Sequence, residues 1–292
     1  DRKRAFLLGD HIATHLVESL DDPSVLFGFP ELFDNDWQID ISSTRNNTGH
    51  ILKAAWMLAQ LHLIAPQDAY RTGVMRLIDE VWNHDLAGHE AWDDLNGAPF
   101  GNYDWQTGER SNADKEWWML EQAFHAGILA YFITGNEVYL QMADESLAFF
   151  EEHFVDEIYG EVYAVTTAEG EPKSTNKGDF WKAGFHSTEL GWFTYLYGRL
   201  FYQNEPVTLY FRFEPQETAR SPILNPLAIE DARLGIVEVK REGEDFANFD
   251  RATRQLHLEP NMGGVFEVTF ELDPVIALPL GIEWEPSSSV YG

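Results

Sequence analysis

Apolar residues recur at helical spacing in six segments of the first two thirds of the chain. In the first segment, Leu8, Ile12 and Leu16 follow one another at intervals of one helical turn, which predicts a buried stripe. Pro66 stands at the beginning of the third, in the first turn, where a helix tolerates proline. Asp114 is expected to cap the fourth. The predicted helices span residues 2–20, 49–64, 66–84, 114–135, 136–154 and 185–202.

Turn-rich segments separate the helix pairs and predict short hairpins. These segments are 27–40, 88–109 and 159–172. His50, Trp117 and His186 lie near the starts of alternate helices, 67 and 69 residues apart. A repeating unit of two helices and a hairpin is longer than the repeat of common solenoids. It predicts a mainly α fold, an α/α toroid in which the starts of the inner helices and the hairpins gather at one end.

The pattern changes after Glu205, where apolar and polar residues begin to alternate with a period of two. Segments such as VTLYFRF and GGVFEVTFEL are separated by turn residues, which is typical of antiparallel strands. We therefore expect a helical domain over 1–204 and a small antiparallel β module, a sandwich, over 205–292. The tail from residue 273 is expected to wrap over its neighbour.

The net charge is −29, from 20 basic and 49 acidic residues, so a nucleic-acid partner is not expected. The chain has no cysteine, which excludes disulfides and thiolate chemistry but leaves the compartment open. No apolar run is long enough to predict a membrane-spanning helix. The start DRKRAFLL has no signal-peptide pattern and is expected to be processed or truncated. Ten tryptophans are consistent either with stacking on sugar rings or with filling a helical core.

Three segments together resemble motifs of the N-acylglucosamine 2-epimerase and cellobiose 2-epimerase family. GHILKAAWML at 49–58 resembles GH-x-x-E-x-x-W-L, and KEWWMLEQA at 115–123 resembles K-x-W-W-x-Q-x-E. FWKAGFH at 180–186 resembles E-W-K-x-x-Y-H. The order and spacing of the three segments also agree with the family. The resemblance covers about residues 1–204.

The resemblance implies an (α/α)6 barrel of twelve helices, and this chain has about half of them. We therefore expect the C-terminal half of such a barrel, followed by the β module. The N-terminal half is expected on the same precursor or on another chain. A half toroid alone would expose its inner apolar faces, which soluble monomers avoid.

The resemblance also implies a reaction, epimerisation or aldose–ketose isomerisation of a sugar by proton transfer at C2. His50 and His186 correspond to two catalytic histidines of the family, and Trp118 and Trp181 to aromatic residues of its sugar site. Trp56 is the tryptophan of the first motif and is expected at the substrate. No metal, nucleotide or other cofactor is implied.

Two departures from the family pattern matter for the chemistry. Lys53 replaces the glutamate three residues after the first histidine, and in the second motif Gln122 replaces the glutamate and Leu120 the glutamine. On a helix, Lys53 shares a face with His50. It is therefore a candidate to bind a carboxylate of an acidic sugar, to stabilise an enediolate or to form a Schiff base. Gln122 is expected at the substrate, and Glu189 is placed to orient His186.

Other functions remain open from the sequence, since toroids of this shape also serve glycoside hydrolases and polysaccharide lyases. Their paired carboxylates would come from turn-rich segments that also carry Trp92, Trp105 and Trp181. The candidate carboxylates are Asp93, Asp94, Asp104 and Asp179. A non-catalytic carbohydrate-binding subunit is a third possibility.

Two further histidine positions were considered as ligands. His11 and His15 are spaced to clamp a metal, but no third ligand accompanies them in the sequence, so no metal is predicted. His125 lies about two turns after Trp118 and is expected to be buried and hydrogen-bonded.

Overall fold

The computed structural model of the protein describes residues 2–82, 91–230 and 233–273. The predicted end of the third helix at His84, the first residues of the loop at 88–109 and the tail after 273 lie outside the described residues. The described residues separate into two compact units. The first lies within positions 1–131 and 136–194, and the second within 132–135 and 195–292.

The six predicted helices are present, with shifted ends. They are α1 Arg2–His11, α2 Thr48–Ile64, α3 Asp68–Trp82, α4 Trp117–Thr134, α5 Glu137–Phe149 and α6 Phe185–Tyr197. Three continue into wider π-helical turns, at Ile12–Val17, Phe150–Phe154 and Gly198–Tyr202. A 3₁₀ turn at Glu18–Asp21 ends the first helical segment. No described helix meets the length and hydrophobicity needed to cross a membrane.

The expected cap of the fourth helix is wrong. Lys115 and Glu116 form a two-residue strand, β4, that pairs with Val165–Thr166, β5. Because β4 keeps the backbone extended, α4 begins only at Trp117. Asp114 instead forms an ion pair of 2.6 Å with Lys173.

The first unit also holds a three-stranded antiparallel sheet. Its strands are β1 Arg45–Asn47, β2 Asn102–Asp104 and β3 Arg110–Asn112. β1 runs directly into α2, so the sheet sets where that helix begins. The predicted hairpin at 27–40 is reduced to one bridge between Phe33 and Ile39 around a tight turn.

Two lysines hold two similar loops in the same way. In Asp93–Gly97 and Asp156–Gly160, the glycine amide donates to the aspartate carbonyl, and each glycine has a positive φ. Lys115 donates to the Asp93 carboxylate and to the Gly97 carbonyl, each at 2.8 Å. Lys177 donates to the Asp156 carboxylate and the Gly160 carbonyl. These clamps recur within the repeated hairpins and fix each loop to the segment that precedes a motif tryptophan.

The core of the first unit is built on α2 and α4. α4 is apolar on all sides, and residues Met119 to Ala130 are buried throughout. α2 packs along α3, where buried Leu52 and Leu58 belong to the same core as Leu77. Burial all round α4 means that any polar side chain within it needs a partner from another helix.

The second unit contains a four-stranded antiparallel sheet in the order β6, β11, β7, β8. These strands are β6 Val207–Phe213, β7 Leu234–Arg241, β8 Glu244–Asp245 and β11 Gly264–Leu272. Val268 of the central strand lies between Leu209 and Val239, and all three are buried. A separate pair joins β9 Phe249–Asp250 to β10 Gln255–Leu256. The sandwich, the half barrel and the boundary at 204 remain predictions.

Replacing the Lys115 ammonium tests how much its clamp stabilises the fold. Lys115→Met leaves the Asp93 carboxylate buried without a cation, which we expect to lower the free energy of unfolding by about 3–5 kcal/mol. Burial raises the pKa of Asp93, but hydrogen bonds from Lys115 and Asn96 outweigh it and hold that pKa below the ordinary value. The stabilisation is therefore present above the unfolded-state pKa of about 4 and is lost as the pH falls through the lower folded-state pKa.

The measurement is urea unfolding of both proteins at neutral and acidic pH. Lys173→Met is the matched control, because its pair with Asp114 is more exposed and is expected to contribute about 1 kcal/mol or less. Equal losses for the two variants would contradict the proposed role of the clamp.

Candidate active site

His50 lies in the first turn of α2 and is not the cap of the helix. That role belongs to Asn47, whose side chain accepts a 2.8 Å hydrogen bond from the Gly49 amide. The His50 side chain is 46% exposed, and its Nδ1 lies 2.7 Å from Oε1 of Glu31. The same carboxylate oxygen accepts from the backbone amide of Asn47. A carboxylate therefore orients His50, although position 53 holds a lysine.

Trp118, in the first turn of α4, lies near both motif histidines. Its ring centroid is 5.1 Å from that of His50 and 6.2 Å from that of His186. Its indole nitrogen donates to Glu116 at 2.7 Å. Gly49 leaves the space that the indole occupies, since a Cβ at that position would lie 2.6 Å from the ring.

A second imidazole–carboxylate pair forms between α4 and α6. Glu121 is fully buried, and its Oε2 is hydrogen-bonded to Nδ1 of His186. The Gln122 side-chain amide donates to the same oxygen at 2.6 Å. The Trp56 indole nitrogen donates in turn to Gln122 at 2.5 Å. Trp56 and Gln122, expected at the substrate, therefore form a chain of hydrogen bonds that supports Glu121.

Glu189 completes the cluster from one turn further along α6. One of its carboxylate oxygens lies within 4.8 Å of one of Glu121, and its Oε2 lies 3.9 Å from Nδ1 of His186. Burial raises the pKa of Glu121 to about 7. Burial and the contact with Glu121 raise the pKa of Glu189 to about 8. Burial also lowers the pKa of His186, which favours a neutral imidazole.

Lys53 acts on this second cluster. Its side chain is exposed, and its positive charge lowers the pKa values of Glu121, Glu189 and His186. The sequence placed Lys53 beside His50 on one helix face. The charge of Lys53 therefore affects the pKa of His186, the histidine of the third motif, although Lys53 shares its helix with His50.

Three ligand-type atoms of Glu121, His186 and Glu189 lie within 4.8 Å of one another. Glu121 hydrogen-bonds with His186, whereas Oε2 of Glu189 lies 3.9 Å from Nδ1 of His186, beyond hydrogen-bond distance. The described geometry is that of a compact cluster of two carboxyl groups and one imidazole.

The prediction that His125 is buried is confirmed. Its ring is 1% exposed and lies edge-on to Trp56 and Phe193, at 5.6 and 4.7 Å between centroids. Burial lowers its pKa to about 3. His125 therefore stays neutral behind Glu121, with its Nδ1 3.5 Å from Oε1 of that residue.

Trp181 is 84% exposed, and its ring contacts Phe180 edge-on at 5.0 Å between centroids. Its expected place at the sugar remains a prediction.

His11 and His15 stack on Trp37, with ring centroids 4.9 and 4.0 Å from the indole.

Most of the loop aspartates considered for a hydrolase or lyase have structural partners. Asp93 is bound by Lys115, and Asp104 accepts from Thr44 and from two backbone amides. Asp179 accepts from the backbone amides of the two residues that form its turn, at positions 181 and 182. These hydrogen bonds hold the loops in place.

Two carboxylates of the candidate site, Glu31 and Glu121, were not predicted from the sequence. Glu121 carried a usable signal, because it is the one acidic residue within the apolar sequence of α4. Such a residue is rarely buried without a partner. Glu31 lies 19 positions before His50 in a turn-rich segment, and nothing in its local pattern marks it.

Two imidazole–carboxylate pairs therefore lie beside one indole ring on a helical scaffold. Residues 4–184 match the family described as N-acylglucosamine 2-epimerase (GlcNAc 2-epimerase). The chain belongs to this family. The matched region includes His50, Lys53 and Trp118, and it ends two residues before His186.

Proteins with assigned activities are similar to part of this chain. The D-mannose isomerase of Marinomonas mediterranea is 26% identical over 168 residues, which are 54% of this chain and 41% of that protein. A crystal structure of D-mannose isomerase superposes with a TM-score of 0.54 and 23% identity, over 65% of this chain and 49% of the other. The structure of the cellobiose 2-epimerase of Spirochaeta thermophila superposes with a TM-score of 0.53 and 24% identity, over 65% of this chain and 44% of the other.

These structural similarities, below 25% identity, establish a shared fold. The chain spans about half the length of the proteins that it matches.

Adding a methyl group at Gly49 tests the placement of Trp118. In Gly49→Ala, the new Cβ would lie 2.6 Å from the indole and 2.9 Å from Cγ of Met119. We expect a displaced indole and a loss of about 1–3 kcal/mol of stability through overpacking. Gly191→Ala, also within a helix, is the control because no atom lies within 4 Å of its Cβ position.

The measurements are chemical unfolding and tryptophan fluorescence. Gly191→Ala is expected to gain up to about 1 kcal/mol from helix propensity. An unchanged stability and spectrum in Gly49→Ala would show that Trp118 does not occupy this position.

Proposed function

We propose that this chain carries the acid–base residues of a sugar 2-epimerase or aldose–ketose isomerase. The observation that carries the proposal is the pair of imidazole–carboxylate contacts, His50 with Glu31 and His186 with Glu121, both next to Trp118. Two such groups are what proton removal and return at one carbon require.

His186 serves as the base that removes the C2 proton. A carboxylate that accepts from Nδ1–H places the lone pair of a neutral imidazole on Nε2. Nε2 takes the proton from C2 of the open-chain sugar, and the electrons of the C–H bond pass into an enediolate with the C1 carbonyl. Glu121 stabilises the imidazolium that forms, as an oriented carboxylate does for a catalytic histidine.

His50 serves as the second proton carrier. Delivery of a proton to the opposite face of C2 re-forms the C1 carbonyl and gives the epimer. Delivery of a proton to C1, with transfer of the O2 proton to O1, forms the C2 carbonyl and gives the ketose. Glu31 orients His50 for this step. Trp118 offers a ring for stacking on the sugar, and Trp181 is proposed as a second aromatic contact from the loop before α6.

Lys53 contributes positive charge beside the reacting atoms. That charge would stabilise the enediolate electrostatically. It would also favour a sugar with a carboxylate. Replacing Lys53 by methionine removes the charge and therefore tests both roles.

The site is proposed to be completed by the remaining half of the barrel, on the same precursor or on another chain. The chain spans about half of its relatives. The α6 helix also leaves Phe185 and Trp192 exposed, at 63% and 43%. Such aromatic surface on a helix is typical of a face that another element covers.

Hydrogen exchange at C2 tests the function. The protein, with the N-terminal partner encoded with it, would be incubated in D2O with mannose, glucose, cellobiose, N-acetylmannosamine and a uronic acid. We expect proton NMR to show deuterium entering C2 of at least one sugar. His186→Ala and His50→Ala should each lower the rate by about 10²–10⁴-fold, the usual contribution of a general acid or base.

His257→Ala is the matched control, since this histidine pairs with Ser221 in the second unit. It should leave the exchange rate unchanged. A folded assembly that exchanges none of these sugars would contradict the proposal and favour a binding role, and cleavage of a polysaccharide would favour a hydrolase or lyase.

A further inference from the structure

We propose that Glu121 and Glu189 share a single proton, and that Glu189 and Lys53 are positioning residues that set the protonation state of His186 through this pair. The shared proton is a property of the cluster itself. Only its consequence for catalysis rests on the proposed function.

The contact between the two carboxyl groups carries the inference. A carboxylate oxygen of Glu121 on α4 and one of Glu189 on α6 lie within 4.8 Å of each other, and Glu121 is fully buried. Two carboxylates have only acceptor atoms and repel each other. At this separation and with this burial, one proton on the pair removes the repulsion, as in other carboxyl pairs that share a site.

Burial makes full ionisation of the pair costly. Glu121 is fully buried, and its Oε1 has no hydrogen-bond partner among the described residues. Its Oε2 already has contacts from Gln122 and His186. An isolated second negative charge here would lack solvation, so a proton on the pair is the less costly state.

The charged and titratable groups that face the pair come from three helices. α2 supplies Lys53, α4 supplies His125 and α6 supplies His186. His125 remains neutral through burial, and burial also favours the neutral form of His186. Lys53 is then the permanent cation of the cluster. It opposes one negative charge, which is the charge of a singly protonated pair.

A singly protonated pair suits a histidine base. One negative charge opposite Nδ1–H of His186 stabilises the imidazolium when Nε2 takes a proton. Two negative charges would raise the proton affinity of the resting imidazole and leave less of the free base. Glu189 thus acts by holding the proton that limits the charge on Glu121.

The first experiment follows the carboxyl groups directly. Glutamate labelled with ¹³C at the side-chain carboxyl is incorporated, and its NMR signals are followed with pH in the intact protein. We expect two carboxyl signals to titrate as a coupled pair with midpoints about 7 and 8, where the two raised pKa values lie. Two signals near the ordinary value of 4.5 would overturn the proposal without any variant.

Variants then assign the pair. In Glu189→Gln, one high-pH transition should disappear, while the amide can still donate to Glu121. Glu244→Gln, on the surface strand β8, is the control and should leave both transitions in place. Persistence of both transitions in Glu189→Gln would overturn the assignment.

Lys53 gives a test with a defined sign. Its charge lowers the pKa values of both carboxyls and of His186. Lys53→Met should therefore move all three midpoints upward. Lys240→Met, which removes a lysine paired with Glu238 in the second unit, should move none of them. Unchanged midpoints in Lys53→Met would remove this residue from the cluster.

The pH dependence of C2 exchange connects the pair to catalysis. Activity should fall above pH of about 8, where the pair loses its last proton. In Glu189→Gln this falling limb should disappear, whereas a merely structural role would lower the rate equally at every pH. Raised midpoints without any sugar exchange would contradict the proposed function and leave the shared proton standing. Sugar exchange by a protein whose two carboxyl groups titrate near the ordinary value would support the proposed function and overturn the shared proton.

Discussion

The candidate site depends on one buried hydrogen bond, between the Glu121 carboxyl and Nδ1 of His186. A carboxyl group in a helix that is apolar on all sides is destabilising unless other elements supply donors. Here α6 supplies His186 and Glu189, while α2 supplies Trp56 through Gln122. The hydrogen bonds around Oε2 of Glu121 therefore link the three helices α2, α4 and α6. Because each donor also constrains its own helix, the interaction that stabilises the cluster is also the one that orients the imidazole.

The hairpins position the same helices from outside the core. β1 and β4 each end where a motif helix begins, so a strand pairing fixes the first turn that carries His50 or Trp118. The lysine clamps do the equivalent for the loops, by placing an ammonium between a carboxylate and a glycine carbonyl. A cation held within the chain gives a loop this geometry without a bound ion. This arrangement explains why a lysine precedes the motif tryptophan in both places, Lys115 before Trp117 and Lys177 before Trp181.

The elements of this fold were predictable from local pattern, and the contacts between them were not. Helical periodicity located all six helices. The buried stripe expected in the first helix is wrong, because Leu8 is exposed, Ile12 and Leu16 are only half-buried, and Gly9 is the one buried residue of α1. Local pattern also failed at the start of α4, where a strand pairing with a segment 50 residues away overrides the capping preference of Asp114. The histidines were found because motifs name them. Their carboxylates come from positions remote in sequence, Glu31 and Glu121, and only the folded chain brings them near. For the same reason the sequence placed Lys53 beside His50 and gave no sign of its effect on Glu121, Glu189 and His186.

The distribution of burial separates two parts of the candidate site. The two motif histidines are oriented by contacts within the first unit, His50 by Glu31 and His186 by Glu121. Trp181 and Phe185, before and at the start of α6, are largely exposed. Acid–base chemistry needs side chains fixed to a fraction of an ångström, whereas a binding wall can be completed by a surface that docks later. In the proposed function, the side chains that this chain holds in place are therefore those proposed for proton transfer, and the exposed aromatic side chains are those that the remaining barrel half is proposed to cover.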